Sequence, residues 1–146
     1  MTVDIKKFSD LSTIELYEIL RLRSEVFVVE QDCVYQDIDN KDQKALHVLG
    51  YDQNKLVAYT RLFGPGEYFV QSSIGRVVVN TTYRNKKYGY DIMNASIEAI
   101  KDFYKTTEVK ISAQKHLEKF YNNLGFKTIG EPYLEDGIPH IGMMRN

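Results

Sequence analysis

The sequence predicts a single α/β domain spanning residues 1–146, built on a mixed central sheet of about six to seven strands with helices on both faces. Three observations carry that prediction. The chain has 146 residues, the length of one domain. Its apolar pattern switches between strand-like runs and helical periods in the order β-α-loop-β-β-β-α-β-α-β-β. A three-strand meander is followed by a crossover helix and a further strand, which mixes parallel with antiparallel pairing.

Val3 to Phe8 alternates weakly and reads as an edge strand. Ser12-Thr-Ile-Glu15 is a capping box: the serine hydroxyl can take the third helical amide while Glu15 reaches back. Leu16, Ile19, Leu20, Val26 and Phe27 keep the helical period, so a helix runs to about Val28. From Val29 to Lys44 the periodicity stops. The stretch EQDCVYQDIDNKDQK places aspartates at 32, 37, 39 and 42, and it reads as a long solvated loop with at most a short helix. Clustered carboxylates raise the question of a metal, but the glycine and closing glutamate of a calcium loop are missing. No metal is expected.

Ala45 to Tyr51 and Leu56 to Leu62 are apolar runs separated by Asp52-Gln-Asn-Lys55, a hairpin signal. After the turn FGPGEY, Val70 to Asn80 is the third strand, with Gly75 as the expected bulge. The helix after Gly89 carries Met93, Ile97, Ile100 and Tyr104 on one face. Val109 to Ala113 is a short strand. His116 to Leu124 is a short helix ended by Gly125, a natural left-handed cap. Phe126 to Ile129, the turn Glu135-Asp-Gly137 and Pro139 to Met144 complete the sheet. Ligand sites in such sheets favour strand ends where neighbouring strands diverge.

The net charge of −1 excludes a general nucleic-acid binder, whose domain is strongly basic. The single cysteine, Cys33, cannot form an internal disulfide. No apolar run approaches a membrane span, and the N-terminal segment lacks the apolar stretch of a signal peptide. The expectation is a soluble, cytoplasmic protein without a membrane partner. The oligomeric state stays open, a homodimer included.

Positive charge gathers in one turn, Tyr83-Arg84-Asn85-Lys86-Lys87-Tyr88-Gly89-Tyr90, between a strand and a helix. Like charges repel there, and they oppose the positive end of the coming helix dipole. An anion resolves the conflict, because the first helical amides point back into the turn. Gly89 removes a side chain where a ligand has to come close. A pyrophosphate fits this description; the other reading is an exposed basic turn.

Arg84-x-x-Lys87-x-Gly89 after GRVVV resembles the Gln/Arg-x-x-Gly-x-Gly/Ala signature of the GCN5-related N-acetyltransferases, or GNAT family. The segments LRSEVFVVEQDCVYQDIDNKD, ALHVLGY, IGRVVV, HLEKFYNNLGF and EDGIPHIGMM are similar, in the same order, to its ElaA-like branch. The resemblance implies the GNAT fold. It also implies transfer of an acetyl group from acetyl-CoA to an amine by direct attack in a ternary complex. A non-catalytic CoA-binding module on the same fold is the alternative. The pyrophosphate would lie on residues 84–90, and the pantetheine arm between Val77-Val78-Val79 and Ile111-Ser112-Ala113. Lys87 replaces the first glycine of the signature; a lysine can keep helical backbone angles there, with its amide toward the phosphates. Tyr121 would protonate the departing thiolate, while its helical spacing with Leu117, Phe120 and Leu124 equally suits a core residue.

Attack needs a neutral amine, so a base or a water must take a proton. Glu30, His47 and His140 are the candidates. His47 sits in an apolar strand, where a structural histidine is the other reading, and Glu30 can equally be a surface charge. Arg76 either pairs with a loop carboxylate or faces the acceptor. Asp32 to Asp42 hints at a cationic acceptor.

Overall fold

The computed structural model describes residues 1–146. Its elements are β1 (Thr2–Lys7), α1 (Thr13–Arg23), β2 (Leu46–Asp52), β3 (Lys55–Phe63), β4 (Ser72–Val79), α2 (Tyr88–Tyr104), β5 (Val109–Gln114), α3 (Glu118–Asn122), β6 (Lys127–Glu135) and β7 (Ile138–Arg145). One seven-stranded sheet runs in the order β1-β2-β3-β4-β5-β7-β6, with β4 and β5 its parallel pair. No helix is long and apolar enough to cross a membrane.

The local signals act as their chemistry demands. Ser12 Oγ accepts from the Glu15 amide at 3.1 Å, and Glu15 Oε1 accepts from the Ser12 amide at 2.8 Å. Asp52↔Lys55 and Glu135↔Ile138 each close a two-residue turn. Both central residues of each turn, Gln53-Asn54 and Asp136-Gly137, have positive φ, the twist that hairpins prefer. Gly125 takes φ +91 after α3.

Helical winding continues past α1 through Ser24–Glu30, but it widens. The Gln31 amide reaches Val26 O and the Cys33 amide reaches Val28 O, five residues back, both at 3.1 Å. The run Val26-Phe27-Val28-Val29 is β-branched and aromatic, the composition least suited to tight α-turns.

Two cores flank the sheet. Ile92, Met93, Ile97 and Ile100 of α2 pack on Val48, Ala58, Leu62 and Ile74, and Tyr121 and Leu124 extend this core over Ile111, Ala113, Ile141 and Met143. On the opposite face, Ile19, Leu22, Val26 and Phe27 pack on Leu49, Leu56, Tyr59 and Val78. Alternation along β2 and β3 divides the faces.

The acidic loop corrects its sequence reading. Asp37 and Asp42 are buried rather than solvated. Arg23, fully buried, donates to Asp37 Oδ2 at 2.9 Å and Asp42 Oδ1 at 2.8 Å. Arg61 donates to both Asp39 oxygens, at 2.8 and 2.9 Å, and to Asp42 Oδ1 at 3.0 Å. Arg76 Nε lies 2.7 Å from Asp37 Oδ1. Burial pushes the Asp39 carboxyl up, but Arg61 and Arg76 outweigh it and hold the group at about 2. The loop is an ionic clasp across α1, β3 and β4, and its charge is neutralised internally. It is not the cationic-acceptor surface its composition suggested.

The bulge sits one residue beyond Gly75. Tyr59 pairs with Val78 and Arg61 with Gly75, so Thr60 faces both Arg76 and Val77. Arg76 takes φ +49, a left-handed backbone that costs roughly 1–2 kcal/mol. Its ion pairs with the clasp offset that strain.

Candidate active site

β4 and β5 pair only at Ser72↔Val109 and Ser73↔Lys110. Past the bulge they part, and a cleft of about 760 Å³ opens between them. On β5 and β7, Ile111, Ala113, Ile141 and Met143 face the α2 and α3 side. The intervening Ser112, Gln114 and His140 therefore face the opposite side, and all three line the cleft. Tyr121, which also lines it, belongs to the first side. The cleft thus passes through the sheet, with different chemistry on each face.

At one end stands the N-terminus of α2. The Tyr90 and Asp91 amides donate to Lys87 O at 3.2 and 3.3 Å. The amides of Lys87, Tyr88 and Gly89 precede any helical acceptor and mark the positive end of the dipole. Lys87 does not keep helical angles: it takes φ 60 and ψ 25 as the cap. The chain must reverse sharply from the preceding 3₁₀ turn, Thr81–Lys86, and the left-handed conformation does this. Glycine suits such a position best. Gly89 has a different reason to lack a side chain, since a Cβ there would meet the Phe120 ring at 3.3 Å.

Of the predicted cofactor residues, Val77, Val78, Val79, Arg84, Lys87, Gly89, Tyr90 and Ser112 line the cleft. Asn85, Lys86 and Tyr88 do not. Lys86 Nζ lies 3.5 Å from Asp52, and the Tyr88 hydroxyl donates to the same carboxylate. The turn points these two side chains at the β2–β3 hairpin. Arg84 is engaged as well: its guanidinium donates to both Glu30 oxygens, one at 2.7 Å, and its Nε to Val79 O at 3.1 Å.

The three candidate bases separate sharply. His47 is fully buried away from the cleft, with Nδ1 2.6 Å from the Tyr59 hydroxyl and Nε2 2.9 Å from Asp42 O. Burial pushes its imidazole below the usual value. It braces the clasp, the structural role its apolar strand context allowed, and does not reach the cleft. Glu30 lines the cleft, but hydrogen bonds from Arg84 hold its carboxyl below the usual range. His140 lines the cleft and pairs with Glu135, a residue the sequence reading passed over. The signal was present in EDGIPH, where a two-residue turn sets both residues on one hairpin end.

Tyr121 is 5% exposed. Its ring packs edge-on against Phe120 and Phe126, and burial pushes its phenol far above the ordinary value. It is both a core residue and a cleft residue, so the two sequence readings do not exclude each other.

The acetyltransferase (GNAT) domain matches residues 10–146. The chain belongs to the GNAT family. Protein ElaA of Escherichia coli K12 is 43% identical over 139 residues, covering 94% of this chain and 91% of that protein. The crystal structure of Escherichia coli ElaA superposes with a TM-score of 0.91 at 40% identity, covering 100% of both chains. An acyl-CoA N-acyltransferase from Pseudomonas aeruginosa superposes with a TM-score of 0.93 at 41% identity over 99% of each chain. An aminoglycoside 6'-N-acetyltransferase complexed with coenzyme A shares the fold, with a TM-score of 0.72 at 15% identity, covering 97% of this chain and 96% of that one. In this GNAT domain the parted β4 and β5 strands and the mouth of α2 line one continuous cleft.

Proposed function

We propose that the protein transfers the acetyl group of acetyl-CoA directly to an amine, with both substrates bound together in the cleft through the sheet. That cleft is the observation that carries the reading. The free α2 amides, Lys87 and Arg84 suit a pyrophosphate. The β4 edge at Val77 to Val79 has no β5 partner, and there its backbone can meet the amides of a pantetheine arm, with the Val79 carbonyl already taken by Arg84. The thioester supplies an activated acetyl carbon. Tyr121 stays protonated through neutral pH, because burial disfavours its phenolate, and it donates to the sulfur as the carbon–sulfur bond breaks. The amine approaches from the opposite face, through the polar half lined by Ser112, Gln114 and His140.

An open acceptor half supports transfer over a silent CoA-binding module, in which side chains would fill that half. Acetyl-CoA as substrate and a free cysteine fit work in the cytoplasm. Calorimetry with coenzyme A, and thiol release from acetyl-CoA with a panel of primary amines, test the reading. Binding and amine-dependent release of thiol with an N-acetylated product are expected. No heat at millimolar coenzyme A overturns the reading; binding without release returns the module.

A further inference from the structure

His140 stands between two hydrogen-bond acceptors. Its Nδ1 lies 2.7 Å from Ile138 O, a carbonyl that can only accept, so the proton of the neutral ring sits on Nδ1. Nε2 then carries the lone pair, and it lies 3.2 Å from Glu135 Oε2. The carboxylate stands at ion-pair distance without a hydrogen bond to Nε2, so a proton arriving on the lone pair meets an opposite charge beside it. Position is fixed on every side. His140 is opposite Gln114 across β5 and opposite Tyr133 across β6, and the Tyr133 ring stacks on it with centroids 6.2 Å apart. Tyr133 is itself held by a hydrogen bond to Ser112. The ring is 8% exposed, and Cys33 Sγ ties the opposing loop to the hairpin tip through Asp136 O at 3.3 Å.

The hairpin tip beside His140 is acidic. Glu135 and Asp136 line the cleft, and neither pairs with a lysine or arginine. Across the cleft, Arg76 is held by Asp37, and Glu30 and Arg84 neutralise each other. Tyr133 stacks on the ring, and the other titratable side chains lining the cleft are Cys33, Tyr35, Lys87, Tyr90, His116 and Tyr121. The acidic tip draws a cation.

We infer that His140 takes the proton of the acceptor nitrogen, that Glu135 pairs with the imidazolium so formed, and that the site selects primary alkylamines arriving as ammonium ions. This rests on the transfer reaction proposed above. The ammonium gives one proton to Nε2, and the freed lone pair forms the carbon–nitrogen bond. The carbon–sulfur bond breaks, and Tyr121 on the other face supplies the proton to sulfur. The second nitrogen proton leaves to solvent, His140 gives up its proton to solvent, Tyr121 is reprotonated from solvent, and the products are an N-alkylacetamide and coenzyme A.

The test measures thiol release from acetyl-CoA with butylamine, 1,4-diaminobutane and 2-phenylethylamine across pH, alongside coenzyme A calorimetry. In wild type, kcat should rise with pH through the neutral range. His140→Asn should lower kcat by about 10²-fold or more, abolish that rise and leave coenzyme A affinity unchanged. Glu135→Gln, on the exposed hairpin, guards against a folding artefact. It should raise the amine KM and move the rise to lower pH, because the imidazolium loses its partner. A His140→Asn enzyme within about threefold of wild type with the same pH profile overturns the inference, as does an unmoved profile in Glu135→Gln. Wild type that binds coenzyme A but acetylates none of the three amines overturns the acceptor class. Wild type that binds no coenzyme A overturns the transferase reading itself.

Discussion

Two groups of charged residues lie either side of β4, and they are built from the same side chains. In the clasp, Arg23, Arg61 and Arg76 meet Asp37, Asp39 and Asp42, and two of the arginines are essentially inaccessible. In the cleft, Glu30 meets Arg84 and Glu135 meets His140, and each carboxylate is more than a third exposed. In the clasp each carboxylate faces two guanidinium groups, although Arg61 Nε has no hydrogen-bond partner. A buried network of paired charges holds its charge and resists any new partner. The cleft pairs are single and wet, so a ligand can exchange for one member at small cost. The contrast separates a carboxylate locked into the fold from one left accessible to a ligand, and residue type alone does not make it.

The largest effect should come from breaking the clasp. Asp42→Ala strands two buried guanidinium groups and should lower stability by about 3–5 kcal/mol, with a matching fall in the denaturant midpoint. A loss under 1 kcal/mol would mean that solvent reaches the clasp and that the contrast is false. Breaking the cleft pair should read differently. Arg84→Ala should change stability by less than about 1 kcal/mol yet weaken coenzyme A binding by roughly 1.5–3 kcal/mol. Calorimetry on Glu30→Gln sharpens the point, since it frees Arg84 and should hold or tighten that affinity. Weaker binding in both variants would assign Glu30 to the coenzyme itself.

The smallest effect belongs to Lys87. Glycine at its left-handed position should raise the melting temperature, by about 0.5–1 kcal/mol in stability, while its deficit in coenzyme A affinity relative to wild type, modest at low salt, should shrink as salt rises. A lowered melting temperature would place Lys87 outside the left-handed region. The turn signals told little here. A lysine carries no mark of positive φ, and only the reversal between the 3₁₀ turn and α2 imposes it.

Legibility followed the range of the interaction. The Ser12 capping box, both hairpin turns and the Gly125 cap are local contracts between neighbours, and each stood in the sequence. The parting of β4 and β5 came only through the family resemblance, because element order gives the mixed sheet but not where its strands part. The clasp did not, because its arginines come from α1, β3 and β4 and meet aspartates 14 to 39 positions away. Its aspartates consequently looked solvated. His47 looked available for the same reason: its partners, Tyr59 and the Asp42 carbonyl, are assembled only by the sheet and the loop. The basic turn at the mouth of α2 was legible, but which of its side chains face the cleft was not. Lys86 and Tyr88 turn to Asp52 through a hairpin far away in sequence.

The central claim is that one cleft through the sheet carries the transfer, with Tyr121 serving the sulfur. Tyr121→Phe removes one hydroxyl and keeps the packing against Phe120 and Phe126. Turnover and coenzyme A affinity measured on the same preparation test it most directly. A fall in kcat of about 10²–10⁴-fold with affinity unchanged is the predicted result; unchanged turnover, with chemistry shown to limit the rate, would contradict it.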